Sequence, residues 1–287
     1  MILEYPSGKR VAEFFAKQGP GATCSDSEGN VYLGGQGDST GDPAISEYTY
    51  GATSPLTYVD LTSQGQGSVS GCSVDPTTGN IAALVKADGP EDAVAVFAPG
   101  LQGSPQIFAA PAMDFVLSLT YDGSGNLFLL GVTGPHSNEF DFDELPKGGS
   151  SFEAISLNLG PHRPTKIWAY EEIRWATNWD GQYITIDGAY TPKPKGKLKT
   201  WKQAIYRLRI SGSAATVAQT IFLRQRRYRL DATYSFTPAL NSIIETDDAV
   251  REFGYPSGKP IAKLNLGGPS YSSTIAFPQS RQRLPAP

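Results

Sequence analysis

The chain has 287 residues, of which 39% are apolar, 11% aromatic and 18% charged. That composition excludes a disordered polyelectrolyte, and 31 glycines without a three-residue period exclude collagen. With 24 Lys and Arg against 28 Asp and Glu, the net charge of −4 argues against a nucleic-acid binder.

In chain order, the first signal is a hairpin turn, Tyr5-Pro6-Ser7-Gly8-Lys9, which returns as Tyr255-Pro256-Ser257-Gly258-Lys259. Weaker copies stand at Tyr50-Gly51, Phe97-Ala98-Pro99-Gly100, Leu145-Pro146-Lys147-Gly148 and Ile210-Ser211-Gly212. Their glycines are 43, 49, 48, 64 and 46 residues apart. Between them runs a second unit: short strand, Asp, turn, Gly-Asn, short strand. It reads Cys24-Ser25-Asp26 to Leu33, Cys72-Ser73-Val74-Asp75 to Ile81, and Leu119-Thr120-Tyr121-Asp122 to Leu127. A shortened form is Trp179-Asp180-Gly181-Gln182-Tyr183, and a degraded one spans Phe236 to Ile244. Gly-Asn supplies the positive φ that a tight hairpin needs.

Two hairpins per repeat make four short strands, and four-stranded units of this length are propeller blades. The expectation is an all-β, six-bladed β-propeller, one domain over 1–287. Strands within 2–15 should complete the blade begun by 270–285 and close the ring. The apolar runs Ala93 to Pro99 and Leu127 to Val132 are strand-length, well short of the ~18 residues that span a bilayer. No leader precedes Ile2. The expectation is an extracytoplasmic protein, secreted or periplasmic, whose leader is absent from this sequence, with a cytoplasmic one as the alternative.

The strand-Asp-turn-Gly-Asn unit, best seen in Val74-Asp75-Pro76-Thr77-Thr78-Gly79-Asn80, resembles the inner hairpin of six-bladed NHL-type and gluconolactonase-like propellers. Together with Glu144 to Ser151 and Trp179-Asp180-Gly181, the Tyr-Pro-Ser-Gly-Lys motif is similar to uncharacterised bacterial propellers of soil lineages, often secreted. The resemblance implies the fold across nearly the whole chain. Such folds host hydrolases, lyases and pure binders alike. Gluconolactonase-like enzymes hold a channel calcium through Glu, Asn and Asp. Asp114, Asn178 and Asp231 are the nearest residues here, a loose correspondence that leaves calcium without firm ligands.

Function concentrates in loops on a rigid scaffold. In a propeller the connections 34–45, 86–92, 109–116, 131–139, 158–174, 187–204 and 224–232 would share the upper face. Charge is segregated among them: residues 158–232 hold 14 Lys and Arg against 5 Asp and Glu. Lys193, Lys195, Lys197, Lys199 and Lys202 form one group, and Arg224, Arg226, Arg227 and Arg229 another. A one-sign cleft concentrates ligands of the opposite sign. The bland reading is a solvated face balanced by acidic neighbours.

Three approaches to inner strands depart from the small Pro-x-Gly pattern: Met113-Asp114-Phe115, Glu171 to Trp175, and Arg229-Leu230-Asp231. Asp114, Glu172 and Asp231, with Arg174 among them, could supply a general acid, a general base and a cation for developing charge. Arg229, Arg227, Tyr170, Tyr228, Trp175, Trp201 and His162 complete the expected ligand-binding set. Ordinary ion pairs are the bland alternative. His136 and His162 otherwise read as exposed loop histidines.

Asp141 and Asp143 share a face and read as a solvated edge rather than a calcium site. Cys24 and Cys72, offset by one position when aligned on their aspartates, should face opposite ways as buried thiols. Trp179 should be core. The reading is a monomeric hydrolase acting on an anionic or oxygen-rich small molecule or saccharide, with a lyase on acidic sugars as the next chemistry. The alternative is a non-catalytic glycan- or protein-binding propeller. No motif requires a cofactor, and calcium is the one candidate left open.

Overall fold

The computed structural model describes residues 2–3, 10–12, 21–37, 41–64, 66–87, 92–111, 113–133, 140–160, 176–190, 202–223, 233–236, 242–246 and 249–265. The chain divides into two compact units, one holding Met1–Ala109 and the other Ala110–Ser270.

In the first unit a short pair, β1 (Ile2–Leu3) and β2 (Arg10–Ala12), precedes two four-stranded sheets. The first sheet is β3 (Ala22–Ser25), β4 (Val31–Gln36), β5 (Pro43–Tyr48) and β6 (Thr57–Asp60). The second is β7 (Gly67–Val74), β8 (Ile81–Ala87), β9 (Ala93–Ala98) and β10 (Gln102–Ala109). The second unit holds three sheets. The third is β11 (Phe115–Tyr121), β12 (Leu127–Val132), β13 (Phe140–Leu145) and β14 (Glu153–Ala154). The fourth is β15 (Ser156–Asn158), β16 (Ala176–Trp179), β17 (Ile184–Tyr190), β18 (Lys202–Ser211) and β19 (Ala214–Phe222). The fifth is β20 (Thr233–Phe236), β21 (Ser242–Thr246), β22 (Ala249–Gly254) and β23 (Lys259–Asn265).

Each sheet is an antiparallel meander of strands joined by the turns that the sequence repeats. Gly29 in the first inner turn has φ +87° and Gly258 in the last outer turn φ +63°, conformations that only glycine adopts without strain. Where the hairpin count leads to six blades, the described residues contain five such sheets. Of the segments assigned to a sixth, 2–15 is described only at β1 and β2, and 270–285 lies outside the described residues. The fourth sheet has a strand beyond the repeat. β15 pairs parallel with β19, Ser156 opposite Ala214 and Asn158 opposite Thr216.

Consecutive sheets within a unit pack face to face. Alternation along β18 shows how: Ala204, Tyr206 and Leu208 share a core with Phe128, Leu130 and Phe142 of the third sheet. Ile205 between them packs with Tyr234, Ile243 and Phe253 of the fifth. A strand buried on both faces reads as a continuous apolar run, as Ile81 to Val85 does.

This stacking corrects the expectation for the cysteines. Cys24 and Cys72 form a disulfide, with Cα atoms 5.6 Å apart. They do lie on opposite faces of their sheets. Face-to-face stacking presents one face of the first sheet to the opposite face of the second, so the one-position offset is what allows them to meet. Asp143 also departs from expectation: it is buried, not part of a solvated edge, and burial together with the Asp141 charge raises its carboxyl above the ordinary range. Trp179 packs on the core of the third and fourth sheets as expected, its indole 2.9 Å from where a Cβ on Gly123 would stand.

Candidate functional site

The two ends of the first four sheets carry different chemistry. At one end, the repeated aspartate caps the inner turn. Asp26 Oδ1 accepts from the amides of Glu28 and Asn30, both at 2.9 Å. Asp122 does the same for Ser124 and Asn126 at 2.8 and 2.9 Å. Asp75 accepts from the Thr77 amide and from the hydroxyls of Thr77 and Thr78. These aspartates fold the turn; their lone pairs are taken.

Asp180 does this and more. Its Oδ1 accepts from the amides of Gln182 and Tyr183 at 3.0 and 2.7 Å. Its Oδ2 accepts from Arg207 Nε at 2.7 Å and from the Tyr255 hydroxyl of the fifth sheet. The Arg207 guanidinium lies 4.2 Å from the Tyr183 ring centroid and 5.3 Å from that of Tyr255. Burial, then the bond to Asp180, pushes the Tyr255 hydroxyl well above its ordinary pKa. Every group in this clamp is partnered, so it is a structural junction between the fourth and fifth sheets.

Pairing register identifies one recurring position, the residue before the last core residue of each third strand. It is Glu47 in the first sheet, paired with Tyr32, and Val96 in the second, paired with Ala82. It is Glu144, paired with Phe128, in the third and Arg207, paired with Thr185, in the fourth. Among the described residues, only the fourth sheet sets a cation there against the turn aspartate. Glu47 is 4% exposed and takes weak donors, Tyr32 at 3.4 Å and Thr57 at 3.4 Å. Desolvation raises its carboxyl above the ordinary range.

The residues of the expected ligand set belong, by chain position, to the connections at the opposite ends of the third, fourth and fifth sheets. Of these, the structure describes Asp114, which is exposed immediately before β11. Glu172, Asp231, Arg174, Arg229, Arg227, Tyr170, Tyr228, Trp175, Trp201 and His162 lie outside the described residues, whereas the strand ends to which most of their segments attach lie within them. β16 begins at Ala176, β17 ends at Tyr190, β18 begins at Lys202 and β19 ends at Phe222, all at one end of the fourth sheet. Segments 161–175, 191–201 and 224–232 therefore all attach there.

Asp114 belongs to the same side. Ser118 Oγ of β11 accepts from the Thr177 amide of β16 at 2.9 Å, and further along both chains Gly123 meets Trp179. The two inner strands therefore run in the same direction, and the Asp114 end of the third sheet corresponds to the Ala176 end of the fourth. Asn178, from the loose calcium set, sits within β16 opposite Thr185. Among the described residues no group of three His, Cys, Asp or Glu is placed to hold a metal.

A concavity of about 340 Å³ runs along β19 beside Asn158, Leu159 and Gly160. Its lining has no titratable side chain, which leaves it without an acid or a base to activate the Thr216 and Thr220 hydroxyls. Sequence reasoning did not single out Glu47 or Arg207. Part of the signal was available: Glu47 falls four residues before Gly51, as Val96 and Glu144 do before Gly100 and Gly148, while Arg207 falls five before Gly212.

No protein-family model matches the sequence, and no curated protein is similar to it at a significant level. Solved structures are similar in fold. A chain of the nidogen/laminin complex superposes with a TM-score of 0.60 at 13% identity, over 92% of this chain and 87% of that one. TolB from Acinetobacter baumannii gives a TM-score of 0.57 at 14% identity, over 92% of this chain and 58% of that one. At such identities the likeness concerns fold alone. With the five repeated four-stranded meanders, it gives this chain the fold of a β-propeller.

Proposed function

We propose that this β-propeller binds an anionic ligand, a small molecule or saccharide, at the end of the fourth sheet from which three long segments depart. The observation carrying the reading is that common attachment. Segments 161–175, 191–201 and 224–232 together hold 11 Lys and Arg against 3 Asp and Glu. Arg suits bidentate recognition of carboxylate or phosphate, and a local positive field raises the concentration of such ligands. A sixth blade, from the β1–β2 hairpin and residues 270–285, belongs to the same proposal, as does a single domain over 1–287. An oxidising compartment is proposed with it, since disulfides such as Cys24–Cys72 persist there.

Titration with polygalacturonate against neutral dextran tests the reading. Saturable binding of the polyanion alone, weakened by salt, is expected; equal or absent binding of both overturns it. The hydrolase reading is favoured by Asp114, exposed on that same side. A panel of esters, lactones, phosphoesters and aryl glycosides, with and without EDTA, decides it. Turnover abolished by Asp114→Ala or Glu172→Ala makes the site catalytic; a silent panel leaves a binding module.

A further inference from the structure

The junction of the first and second sheets contains one proton fewer than its oxygens call for. Tyr32 Oη stands 3.2 Å from Asp26 Oδ2 and 3.4 Å from Glu47 Oε1. One hydroxyl hydrogen serves one of them. Asp26 is otherwise satisfied by the amides of Glu28 and Asn30 and by Asn30 Nδ2 at 2.8 Å. Glu47 has only the Thr57 hydroxyl, on Oε2 at 3.4 Å. Among the described residues no Lys or Arg faces either carboxylate. The charged groups around Glu47 are Asp26 at the end of β3 and Glu28 in the inner turn, both acidic. Tyr32 comes from β4, Thr57 from β6 and the uncharged Pro99–Leu101 turn from the second sheet. An unpaired carboxylate in that setting is expensive. A protonated Glu47 satisfies every group: it donates to Tyr32 Oη, and Tyr32 donates to Asp26.

The fourth sheet shows the contrast. There the same repeat position holds Arg207, and the turn aspartate receives a permanent cation. The first sheet instead has a titratable acid, and a strained element lies beside it. A Cβ on Gly100 would stand 3.5 Å from Glu47 Oε2. Next to Gly100, Leu101 has φ +55°, a left-handed conformation unfavourable for a branched residue. Leu101 is 2% exposed, so its packing in the shared core holds the turn in place.

We propose that Glu47 holds a proton that lets the Pro99–Leu101 turn of the second sheet stay closed over its carboxyl, and that loss of this proton to solvent loosens the turn. The chain Glu47–Tyr32–Asp26 then has two carboxylates sharing one hydroxyl hydrogen, and Glu47 must recruit water past the turn. The latch works as a pH-dependent contact inside the first unit, independent of the proposed ligand site.

The test compares the wild-type protein with Glu47→Gln, which keeps the shape and supplies a permanent donor. Hydrogen exchange at the amides of residues 100–102 is followed from about pH 5 to pH 8, after correction for the intrinsic pH dependence of exchange, a range above the ordinary Glu value. Wild-type protection is expected to fall about tenfold or more, while Glu47→Gln stays level. Identical profiles overturn the proposal. Infrared difference spectra of an Asp143→Asn/Glu144→Gln protein, which lacks the other carboxyls raised by burial, provide a readout that does not depend on Glu47→Gln folding. A protonated-carboxyl stretch there at about pH 6, well above the ordinary Glu range, supports the latch, and its absence overturns it. Added calcium that restores wild-type protection at high pH would also overturn it, because a metal would then be the missing cation.

Discussion

Asp180 shows how one carboxylate can organise two sheets. Its Oδ1 folds the inner turn, and its Oδ2 receives Arg207 and Tyr255. The carboxylate is fully buried, and the Arg207 side chain is nearly so. Removing one member of a buried pair leaves an uncompensated charge, so Arg207→Met is expected to destabilise by about 3 kcal/mol in urea unfolding. Tyr255→Phe deletes a donor to a buried acceptor and should cost about 1–3 kcal/mol. The two losses should be less than additive, because both variants act on the same oxygen. The Tyr255 hydroxyl titrates above its ordinary value in the folded chain. Its contribution is therefore complete below the ordinary tyrosine pKa and is lost as pH rises beyond it. Tyr255→Phe should flatten the alkaline limb of a stability profile above about pH 10. An unchanged limb would remove Tyr255 as its source.

The turns were legible in the sequence because their chemistry is local. A Gly-Asn pair or a Pro-x-Gly run dictates backbone dihedrals within four residues, wherever the strands later pack. Gly258 illustrates a second constraint that is not local: a Cβ there would stand 2.2 Å from the Phe222 carbonyl oxygen. Gly212, at φ +56°, has open space around it. Gly212→Ala should cost about 1 kcal/mol from backbone strain alone. Gly258→Ala should cost clearly more, and equal losses in denaturant midpoint would show that the close approach to Phe222 yields freely. The disulfide and the parallel strand β15 were not legible, because both depend on which faces and edges meet across some 50 residues of chain. The cysteine link closes a loop of 48 residues, which by chain entropy contributes about 4 kcal/mol. Reduction, or the Cys24→Ala/Cys72→Ala pair, should lower the thermal midpoint by roughly 10 °C. A midpoint that does not move would mean that the two sheets hold together without it.

At the scale of the molecule, net charge and local charge point in opposite directions. The chain as a whole is at −4, while three segments attached to one end of one sheet carry +8. The sequence made that imbalance legible as a count. It did not make the side-chain geometry legible, because long polar connections take their conformation from neighbours and solvent rather than from a repeat. Common attachment nevertheless has a measurable consequence. If 191–201 and 224–232 serve one ligand, neutralising either should remove most of the polyanion affinity. Replacing Lys193, Lys195, Lys197 and Lys199 with Gln, and separately Arg224, Arg226, Arg227 and Arg229 with Gln, provides two arms of a cycle. Groups that share a ligand show coupling of about 0.5–3 kcal/mol, whereas independent patches add within about 0.5 kcal/mol. Strong coupling, with a salt dependence that falls in both variants, is the expected outcome of polygalacturonate titrations. Strict additivity would mean two separate basic surfaces and would withdraw the single site, while leaving the latch at Glu47 and the clamp at Asp180 untouched.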